Sequence, residues 1–423
     1  MKKILLALIT SLLLVGCSTT GTFVKGLALD PDHTVEEKFI SFGAVPIKMA
    51  EPEKYFDGRA WLERMTELID KADDYIFLST FLGSNCEDLY PVYDALANAS
   101  RRGVDVYMVI DGISSYDMTE SKNFLEPVYP LKDSGVHLVE YAPLSFTRAI
   151  APWSLIVRDH RKMMVVDGKI GIIGGMNVNY ISMGSKDEKT LQRDSMYVFN
   201  SYDLVANMAK EFVSLWNASS VETIKLSDFA TYSYDNYEGQ DLTGYLFNQG
   251  PGGKAHMADV YSTLFNSAKE EIIILPYLPL LDDNMLTCLK NAVDRGIKVK
   301  MLFPLDQRGY SEKGTKYFFI NLVEAGIECY FIPTNEISLL HEKLTVVDNK
   351  YVVIGSANFN MRSMNLSHEI VMAIDNEEFA QKMKEHIQND RMFYAQMLDL
   401  ETAQKWKRED GSLLMYLASY YGG

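Results

Sequence analysis

Two segments of the chain carry the same reactive side chains at the same spacing. Both fit the pattern His-x-Lys, four residues, Asp, six residues, Gly, then Gly or Ser, any residue, and Asn. The chemically active positions are His160, Lys162, Asp167 and Asn177 in the first copy and His341, Lys343, Asp348 and Asn358 in the second. A pattern that recurs at identical internal spacing indicates one site built from two halves.

These side chains suit the breaking and re-forming of a phosphate diester. Histidine can attack phosphorus or move a proton to and from an alcohol oxygen. Lysine and asparagine can hold the non-bridging phosphate oxygens and stabilise the transition state. We predict that one imidazole attacks while the other serves as acid and then base, with Asn177, Asn358 and Ser356 binding phosphate. The lysines supply the charge, so we expect neither a metal ion nor a cofactor.

A nucleophilic imidazole needs its second nitrogen held, typically by a carboxylate. Asp194 and Glu369 lie 34 and 28 residues after His160 and His341, respectively. We predict that these two carboxylates orient the histidines.

The aspartate inside each motif has a separate interpretation. Asp167 and Asp348 precede Gly168 and Asn349 at predicted tight turns. Both belong to the catalytic set of the motif, but we expect their role to be structural, fixing the turn and pairing with a nearby base.

Each motif is predicted to lie on a strand–turn–strand unit within alternating helices and strands. His160 and Lys162 alternate with Arg161, so the two should share one face of a strand. Gly103 and Gly296 should end matching helices in the two runs. The predicted helices are 61–72, 89–102, 260–268 and 284–295, and the predicted strands are 75–81, 104–110, 136–141, 271–277, 297–303 and 327–332. This alternation indicates an α/β fold of two similar halves.

Length and charge limit the classes of protein that fit. A chain of 423 residues exceeds the usual size of one hydrophobic core, which agrees with two fused half-domains. A formal net charge of -16 argues against a general nucleic-acid binder, because neutralising phosphates needs a basic face. A local cationic pocket inside an acidic shell is compatible with that charge.

The N-terminus resembles a bacterial lipoprotein signal. Lys2 and Lys3 precede an apolar run that ends shortly before Cys17. Acylation of Cys17 would anchor the protein to the extracytoplasmic face of a membrane, and Ser18 is compatible with outer-membrane sorting. The alternative is an ordinary secretory signal with a chance cysteine.

Residues outside the motifs carry weaker signals. We expect Cys288 and Cys329 to be buried free thiols, and Cys86 has no metal-ligand spacing. His368 precedes Glu369 and is a candidate neighbour of the site, whereas the other histidines are expected to be surface or packing residues. Those other histidines are His33, His137, His256 and His386. The aromatic tail 391–423 predicts a helix that packs on the body or, alternatively, lies against the membrane.

The two motifs resemble the paired HKD motifs of the phospholipase D superfamily, over residues 58–395. Within it, the similarity is greatest to bacterial cardiolipin synthase. Its first half is similar to 159–177 and Arg193-Asp194, and its second half to Pro276-Tyr277, Arg295-Gly296 and 358–369. The resemblance implies a phosphatidyl-histidine intermediate, two half-domains related by a pseudo-twofold axis, and a site at their interface. It also makes His160 the expected nucleophile.

The activity implied by this resemblance joins two phosphatidylglycerols into cardiolipin and glycerol. The commonest cardiolipin synthases begin with two membrane-spanning helices, whereas this chain begins with a lipoprotein-like signal. Hydrolysis or head-group exchange of other phospholipids therefore stays an alternative, with nuclease activity as a third. The expected partners are a phospholipid substrate and the membrane, and not nucleic acid.

The same reasoning divides the chain into six segments. They are a signal at 1–16, a tether and irregular N-terminal segment at 17–57, a first half at 58–220, a connecting segment at 221–242, a second half at 243–395 and a helical tail at 396–423.

Overall fold

The computed structural model describes residues 33–116, 126–143, 156–186, 191–229, 239, 241–250, 255–305, 310–333 and 339–422. The predicted signal and Cys17 lie outside these residues. Within them, no helix combines the length and the apolar character needed to cross a bilayer.

The described residues form sixteen strands and eleven α-helices. The strands are β1 Val45–Met49, β2 Glu53–Tyr55, β3 Tyr75–Thr80, β4 Asp105–Asp111, β5 His137–Tyr141, β6 Met163–Val166, β7 Ile170–Gly174, β8 Met196–Asn200, β9 Leu242–Gln249, β10 Glu271–Leu275, β11 Lys298–Pro304, β12 Glu328–Ile332, β13 Leu344–Val347, β14 Tyr351–Gly355, β15 Glu369–Asp375 and β16 Gln396–Met397. The helices are α1 Val35–Ser41, α2 Gly58–Asp70, α3 Tyr90–Arg102, α4 Tyr202–Ser219, α5 Met257–Ser267, α6 Asp283–Asp294, α7 Tyr310–Glu324, α8 Met361–Asn365, α9 Glu377–His386, α10 Leu400–Glu409 and α11 Leu413–Gly422.

The strands form two sheets that share one topology. The first contains the order β8-β7-β6-β3-β4-β5 and the second contains β15-β14-β13-β10-β11-β12. In each sheet a parallel trio adjoins an antiparallel hairpin, β6-β7 or β13-β14, that follows the His-x-Lys segment. This arrangement confirms the predicted α/β fold of two similar halves.

Three apolar clusters hold the layers together. Helices α2 and α3 cover the outer face of the first sheet, and α5, α6 and α7 cover the outer face of the second. The central cluster lies between the sheets, where Phe77 and Ile273 from facing strands pack with residues of α4 and α9. Because both faces of each sheet are covered, β3, β6 and β13 are buried at every position.

The helices and strands predicted before each motif are all present, with ends shifted by no more than three residues. Gly103 and Gly296 follow α3 and α6 with φ of 95° and 85°, values that a residue with a side chain rarely adopts. These glycines let the chain turn directly from a helix into the next parallel strand, as their matched positions in the two halves predict.

Residues 33–57 contain a helix and two strands, which corrects the prediction of an irregular segment there, whereas 17–32 lie outside the described residues. Helix α1 begins at a capping box formed by Thr34 and Glu37, and β1 pairs antiparallel with β9 in the second sheet. Ile47 and Met49 are buried in the central cluster. A five-residue strand is too short to show a clear period, so its partner could not be read from the sequence.

The C-terminal tail packs on the body of the protein, as one of the two alternatives predicted. Tyr416 in α11 stacks on Phe318 in α7 with ring centroids 5.5 Å apart. A Cβ on Gly314 would lie 2.8 Å from the Met415 carbonyl oxygen, so the two helices contact closely. Cys288 and Cys329 are buried free thiols, as predicted.

Candidate active site

The reactive side chains lie just before the motif hairpins and not inside them. Strand β6 begins at Met163 and β13 at Leu344, so both His-x-Lys segments are extended chain that leads into a strand. The two segments are brought together because the backbone of each one hydrogen-bonds to the backbone of the other half. His160 N donates to the His368 carbonyl at 3.0 Å, and His341 N donates to the Arg193 carbonyl at 2.8 Å.

Each motif histidine is held by a carboxylate of the opposite half. His160 Nδ1 lies 3.1 and 3.2 Å from the two oxygens of Glu369. His341 Nδ1 lies 2.5 Å from Asp194 Oδ2. The sequence led us to pair each histidine with the acid that follows it in its own half, and that pairing is wrong. With Nδ1–H donating to a carboxylate, Nε2 of each ring is left to react.

The two carboxylates are supported differently. The Ser356 hydroxyl donates to Glu369 Oε2 at 2.5 Å and accepts from Ile370 N at 3.0 Å. Ser356 is fully buried and engaged on both sides, so it positions Glu369, which corrects its prediction as a phosphate ligand. The matching residue of the first half is Gly175, where a Cβ would come 2.1 Å from Asp194 Oδ1. The motif therefore needs glycine in one half and accepts serine in the other.

The pKa values of both imidazoles favour the neutral ring. Burial lowers the pKa of His160 to about 3, with Lys162 acting in the same direction and Glu369 opposing. Burial and the Lys343 ammonium lower the pKa of His341 to about 4, against Asp194. Although burial raises its pKa, the hydrogen bond with His160 and the charge of Lys162 hold the pKa of Glu369 at about 2. In the resting site a neutral imidazole therefore faces an ionised Glu369.

The lysines are buried beside the histidines. The Lys162 ammonium donates to the His160 carbonyl at 2.6 Å, and Lys343 donates to the His341 carbonyl. Lys343 Nζ also lies close to both nitrogens of the His341 ring, 2.8 Å from Nδ1 and 3.1 Å from Nε2. Burial lowers the pKa of Lys343 to about 8 and that of Lys162 well below its usual value. A phosphate diester that binds beside the histidines would give both ammonium groups an anionic partner.

The motif aspartates bind backbone amides and not a base, which corrects half of their predicted role. Asp167 and Asp348 stand in the two hairpin turns with φ of 52° and 54°. Each carboxylate accepts three backbone N–H groups at the start of a neighbouring parallel strand. The donors are Asp73, Asp74 and Tyr75 for Asp167, and Lys269, Glu270 and Glu271 for Asp348. Both side chains thus tie the motif hairpin to the adjacent strand, away from the imidazoles.

The motif asparagines differ in what their oxygens bind. Asn177 Oδ1 accepts from Leu82 N at 3.1 Å, which leaves its amide NH₂ group to bind phosphate. Leu278 occupies the position in the second half that matches Leu82. Its φ of 53° gives its peptide a different orientation from that of Leu82. Within the described part of the chain Asn358 Oδ1 is buried and accepts no hydrogen bond.

Two aromatic residues contact the histidines, and the sequence analysis gave neither a role at the site, naming Tyr277 only within the family resemblance. Phe81 packs against His160 with ring centroids 4.8 Å apart, and Tyr277 against His341 at 4.3 Å. Lys162 and Lys343 lie over the same two rings, at 5.1 and 5.2 Å. The signal that the sequence offered for these two residues was an aromatic residue followed by leucine, shortly after the end of β3 and of β10.

The remaining histidines lie outside the catalytic pair. His368 contributes its backbone carbonyl to His160, and its ring nitrogen Nε2 lies 3.2 Å from the Tyr141 hydroxyl. His386 stacks on Phe56 and lies 3.4 Å from Glu342. Among the described residues, no group of three or more His, Cys, Asp and Glu side chains is arranged to hold a metal ion.

Known proteins are similar to this chain over most of its length. A family model described as "Cardiolipin synthase, PLD-like domain" matches residues 65–216 and 261–391. Cardiolipin synthase 1 of Bacillus anthracis is 27% identical over 348 residues, which cover 79% of this chain and 65% of the relative. Cardiolipin synthase of Alkalihalophilus pseudofirmus is 27% identical over 333 residues, which cover 78% and 63%. The chain thus spans a little under two thirds of the length of these curated relatives.

A solved structure shares the fold. The crystal structure of phosphatidylserine synthase from Haemophilus influenzae covers 89% of this chain and 97% of its own, with a TM-score of 0.67 at 14% identity. The paired half-domains are therefore a known architecture. Because the family model covers well over half of the residues and both motifs, the chain belongs to the family of cardiolipin synthase PLD-like domains.

Proposed function

We propose that the protein is a phosphatidyltransferase that converts two phosphatidylglycerols into cardiolipin and glycerol through a phosphatidyl-histidine intermediate. The observation that carries the proposal is the pair of crossed imidazole–carboxylate contacts beside two lysines. The names of the curated relatives support the same reaction.

In the first step His160 Nε2 forms a bond to phosphorus as the bond from phosphorus to the glycerol oxygen breaks. The glycerol oxygen takes a proton from His341, and Glu369 stabilises the positive charge that develops on the His160 ring. In the second step a hydroxyl of the second phosphatidylglycerol gives its proton to His341 and attacks phosphorus. The bond from phosphorus to His160 breaks, which restores the enzyme.

The assignment of His160 as nucleophile follows the family resemblance. It is compatible with the position of Glu369, whose two oxygens lie 3.1 and 3.2 Å from His160 Nδ1 and would stabilise the positive charge of a phosphorylated ring. His341 must carry a proton at the start, and the negative charge of a bound phosphate raises its pKa toward that state.

The test is product analysis. Purified protein with phosphatidylglycerol vesicles should release glycerol and form cardiolipin, detected by mass spectrometry, and EDTA should leave the rate largely intact. Phosphatidic acid formed from phosphatidylethanolamine or phosphatidylcholine, without cardiolipin, would support a phospholipase D instead. Complete loss with EDTA and recovery with a divalent ion would contradict the metal-free scheme.

We also propose that Cys17 carries a lipid anchor that holds the site at an extracytoplasmic membrane surface. The support is the sequence of residues 1–17 and the lipid substrate of the proposed reaction. A Cys17→Ser variant should fail to incorporate labelled palmitate and should leave the membrane fraction. Wild-type protein that incorporates no palmitate would contradict the anchor.

A further inference from the structure

Arg362 is a buried cation beside the site that the repeated motif does not account for, and unlike Arg158 and Arg161 it is not paired with an aspartate. Arg362 lies in α8, just after the second motif, and its side chain is buried, with the residue 5% exposed. Its Cζ lies 5.6 Å from the ring centroid of Phe81. The same ring packs against His160, so a single aromatic ring separates the guanidinium from the reacting imidazole.

Among the described residues no carboxylate forms an ion pair with Arg362, and Glu369 and Asp111 attract its charge only from beyond ion-pair distance. Nη1 donates to the Gly422 carbonyl at the end of α11 at 3.1 Å, and Nε is buried without a hydrogen-bond partner. No carboxylate of the described residues lies within 4 Å of the guanidinium, whereas both catalytic carboxylates contact histidine. Burying an ion without a paired counter-ion is costly, and an anion that binds beside Arg362 would reduce this cost.

The first half has no equivalent of this arginine. Four residues after Asn358 the chain has Arg362, and four residues after Asn177 it has Ile181. Ile181 lies in a matching short turn, the π-helix Tyr180–Gly184. The histidines, lysines and asparagines repeat across the pseudo-twofold axis, but the extra cation does not. The two ends of the site can therefore bind chemically different groups.

We propose that Arg362 forms a second anion subsite, which binds the phosphate of the acceptor phospholipid while the donor is attached to His160. The inference rests on the proposed function, since only an acceptor such as phosphatidylglycerol brings a second phosphate. That phosphate is one glycerol unit away from the attacking hydroxyl, and Arg362 is one ring away from His160. Because Nη1 is tied to α11, the edge formed by Nε and Nη2 is left to receive two phosphate oxygens.

The test compares two acceptors that compete for one intermediate. Full-length enzyme with phosphatidylglycerol vesicles and butanol should form both cardiolipin, from the anionic acceptor, and phosphatidylbutanol, from the neutral one. Arg362→Ile, which installs the residue of the first half, should reduce cardiolipin formation about 10- to 100-fold, the loss expected for a charged hydrogen-bonded pair. Phosphatidylbutanol formation should stay within about twofold, because the donor phosphate binds to the lysines.

Arg362→Lys keeps the charge without the planar fork, so it should retain more cardiolipin synthesis than Arg362→Ile. Ser419→Ala is the matched control, because it removes the contact of α11 with Ser311 and leaves the arginine in place. It should change neither product, which separates loss of the subsite from loosening of the helix.

Three results would overturn the subsite. Equal loss of both products in Arg362→Ile would assign the arginine to the reacting phosphate, and no loss of either would remove it from the site. A loss of cardiolipin in Ser419→Ala as large as in Arg362→Ile would make its role structural. Wild-type enzyme that makes phosphatidylbutanol but no cardiolipin would overturn the proposed function and the subsite together.

Discussion

At the scale of single residues, the two halves of the site differ in how the carboxylate reaches the imidazole. Both oxygens of Glu369 lie close to His160 Nδ1, and Ser356 holds this carboxylate in place. The shorter Asp194 contacts His341 through one oxygen. Asp194 Oδ1 is occupied by Ser195 N at 2.8 Å. The same pattern of residue types therefore produces two imidazoles with different environments, which suits two different tasks.

The two histidines should be individually indispensable. His160→Ala and His341→Ala should each lower cardiolipin formation by several orders of magnitude, because a nucleophile and an acid/base cannot replace one another. Circular dichroism should show a folded protein, and His256→Ala at an exposed position should keep wild-type turnover. Substantial activity in either motif variant would contradict a site shared between the halves.

The crossed pairing predicts which step each carboxylate controls. With a p-nitrophenyl phosphodiester, whose leaving group needs no acid, Asp194→Asn should still phosphorylate His160 and release a burst of nitrophenol. Its second step should slow by about 10²–10⁴-fold, since His341 loses the group that supports it as a base. Glu369→Gln should instead slow the burst itself. A burst in Glu369→Gln and none in Asp194→Asn would reverse the assignment of roles.

At the scale of elements, each motif hairpin is tied to the next strand by its own aspartate. The Asp167 carboxylate accepts amides that lead into β3, and Asp348 does the same for β10. The His-x-Lys segment leads directly into this hairpin. The hydrogen bonds of the aspartate therefore fix the position at which the segment joins the sheet. The contacts of both motif aspartates are thus structural, since each carboxylate accepts backbone amides of the adjacent strand.

Replacing a motif aspartate should therefore cost stability more than catalysis. Asp167→Asn tolerates the positive φ at this turn but loses the ionised acceptor of three N–H groups. We expect the free energy of unfolding in urea to fall by about 1–3 kcal/mol, with kcat within a few-fold of wild type. A variant with wild-type stability and no turnover would show instead that the aspartate acts in the chemistry.

At the scale of the whole molecule, the active site exists only where the two halves join. The peptides of 158–160 pair with His368, and Arg193 pairs with 339–341. The N-terminal strand β1 adds to the second sheet although it precedes the first half. Separated halves would expose the central apolar cluster and leave each histidine without its carboxylate.

Burial of the paired imidazoles predicts a loss of stability in mild acid. Both histidines have a lower pKa in the folded protein than the ordinary 6.5, so the unfolded chain binds more protons as pH falls from 6.5 toward about 4. At pH 5.5 the loss should be on the order of 1 kcal/mol per histidine. The lowered pKa of Glu369 adds a further loss only below pH 4.5.

Unfolding in urea at pH 7.5 and pH 5.5 measures this loss. A His160→Gln/His341→Gln variant, which cannot titrate at these positions, should lose less stability between the two pH values than the wild type does. His137→Gln, at a half-exposed histidine outside the motifs, should behave like the wild type. Equal pH dependence in the double variant and the wild type would assign the acid sensitivity to other groups.

Much of this protein follows from local patterns. Periodicity and the glycines at 103 and 296 were enough for the helices and strands before each motif, because those features depend on neighbouring residues. The spacing of His160 and Lys162, repeated at 341 and 343, was enough for the chemistry of a two-half phosphodiester site. Covalent spacing decides which side chains share a segment, so these conclusions needed no tertiary contacts.

The partners across the site required the packing of the two halves. Asp194 and Glu369 were recognised as carboxylates for histidine, but distance along the chain paired each with the wrong ring. Ser356 was predicted from the sequence to bind phosphate, but in the structure its hydroxyl donates to Glu369. Arg362 was not singled out as a site residue, yet its guanidinium lies over the ring of Phe81. Such contacts join residues far apart in sequence, and their energies depend on burial and on opposite charges meeting, which arise only when the two sheets close on each other.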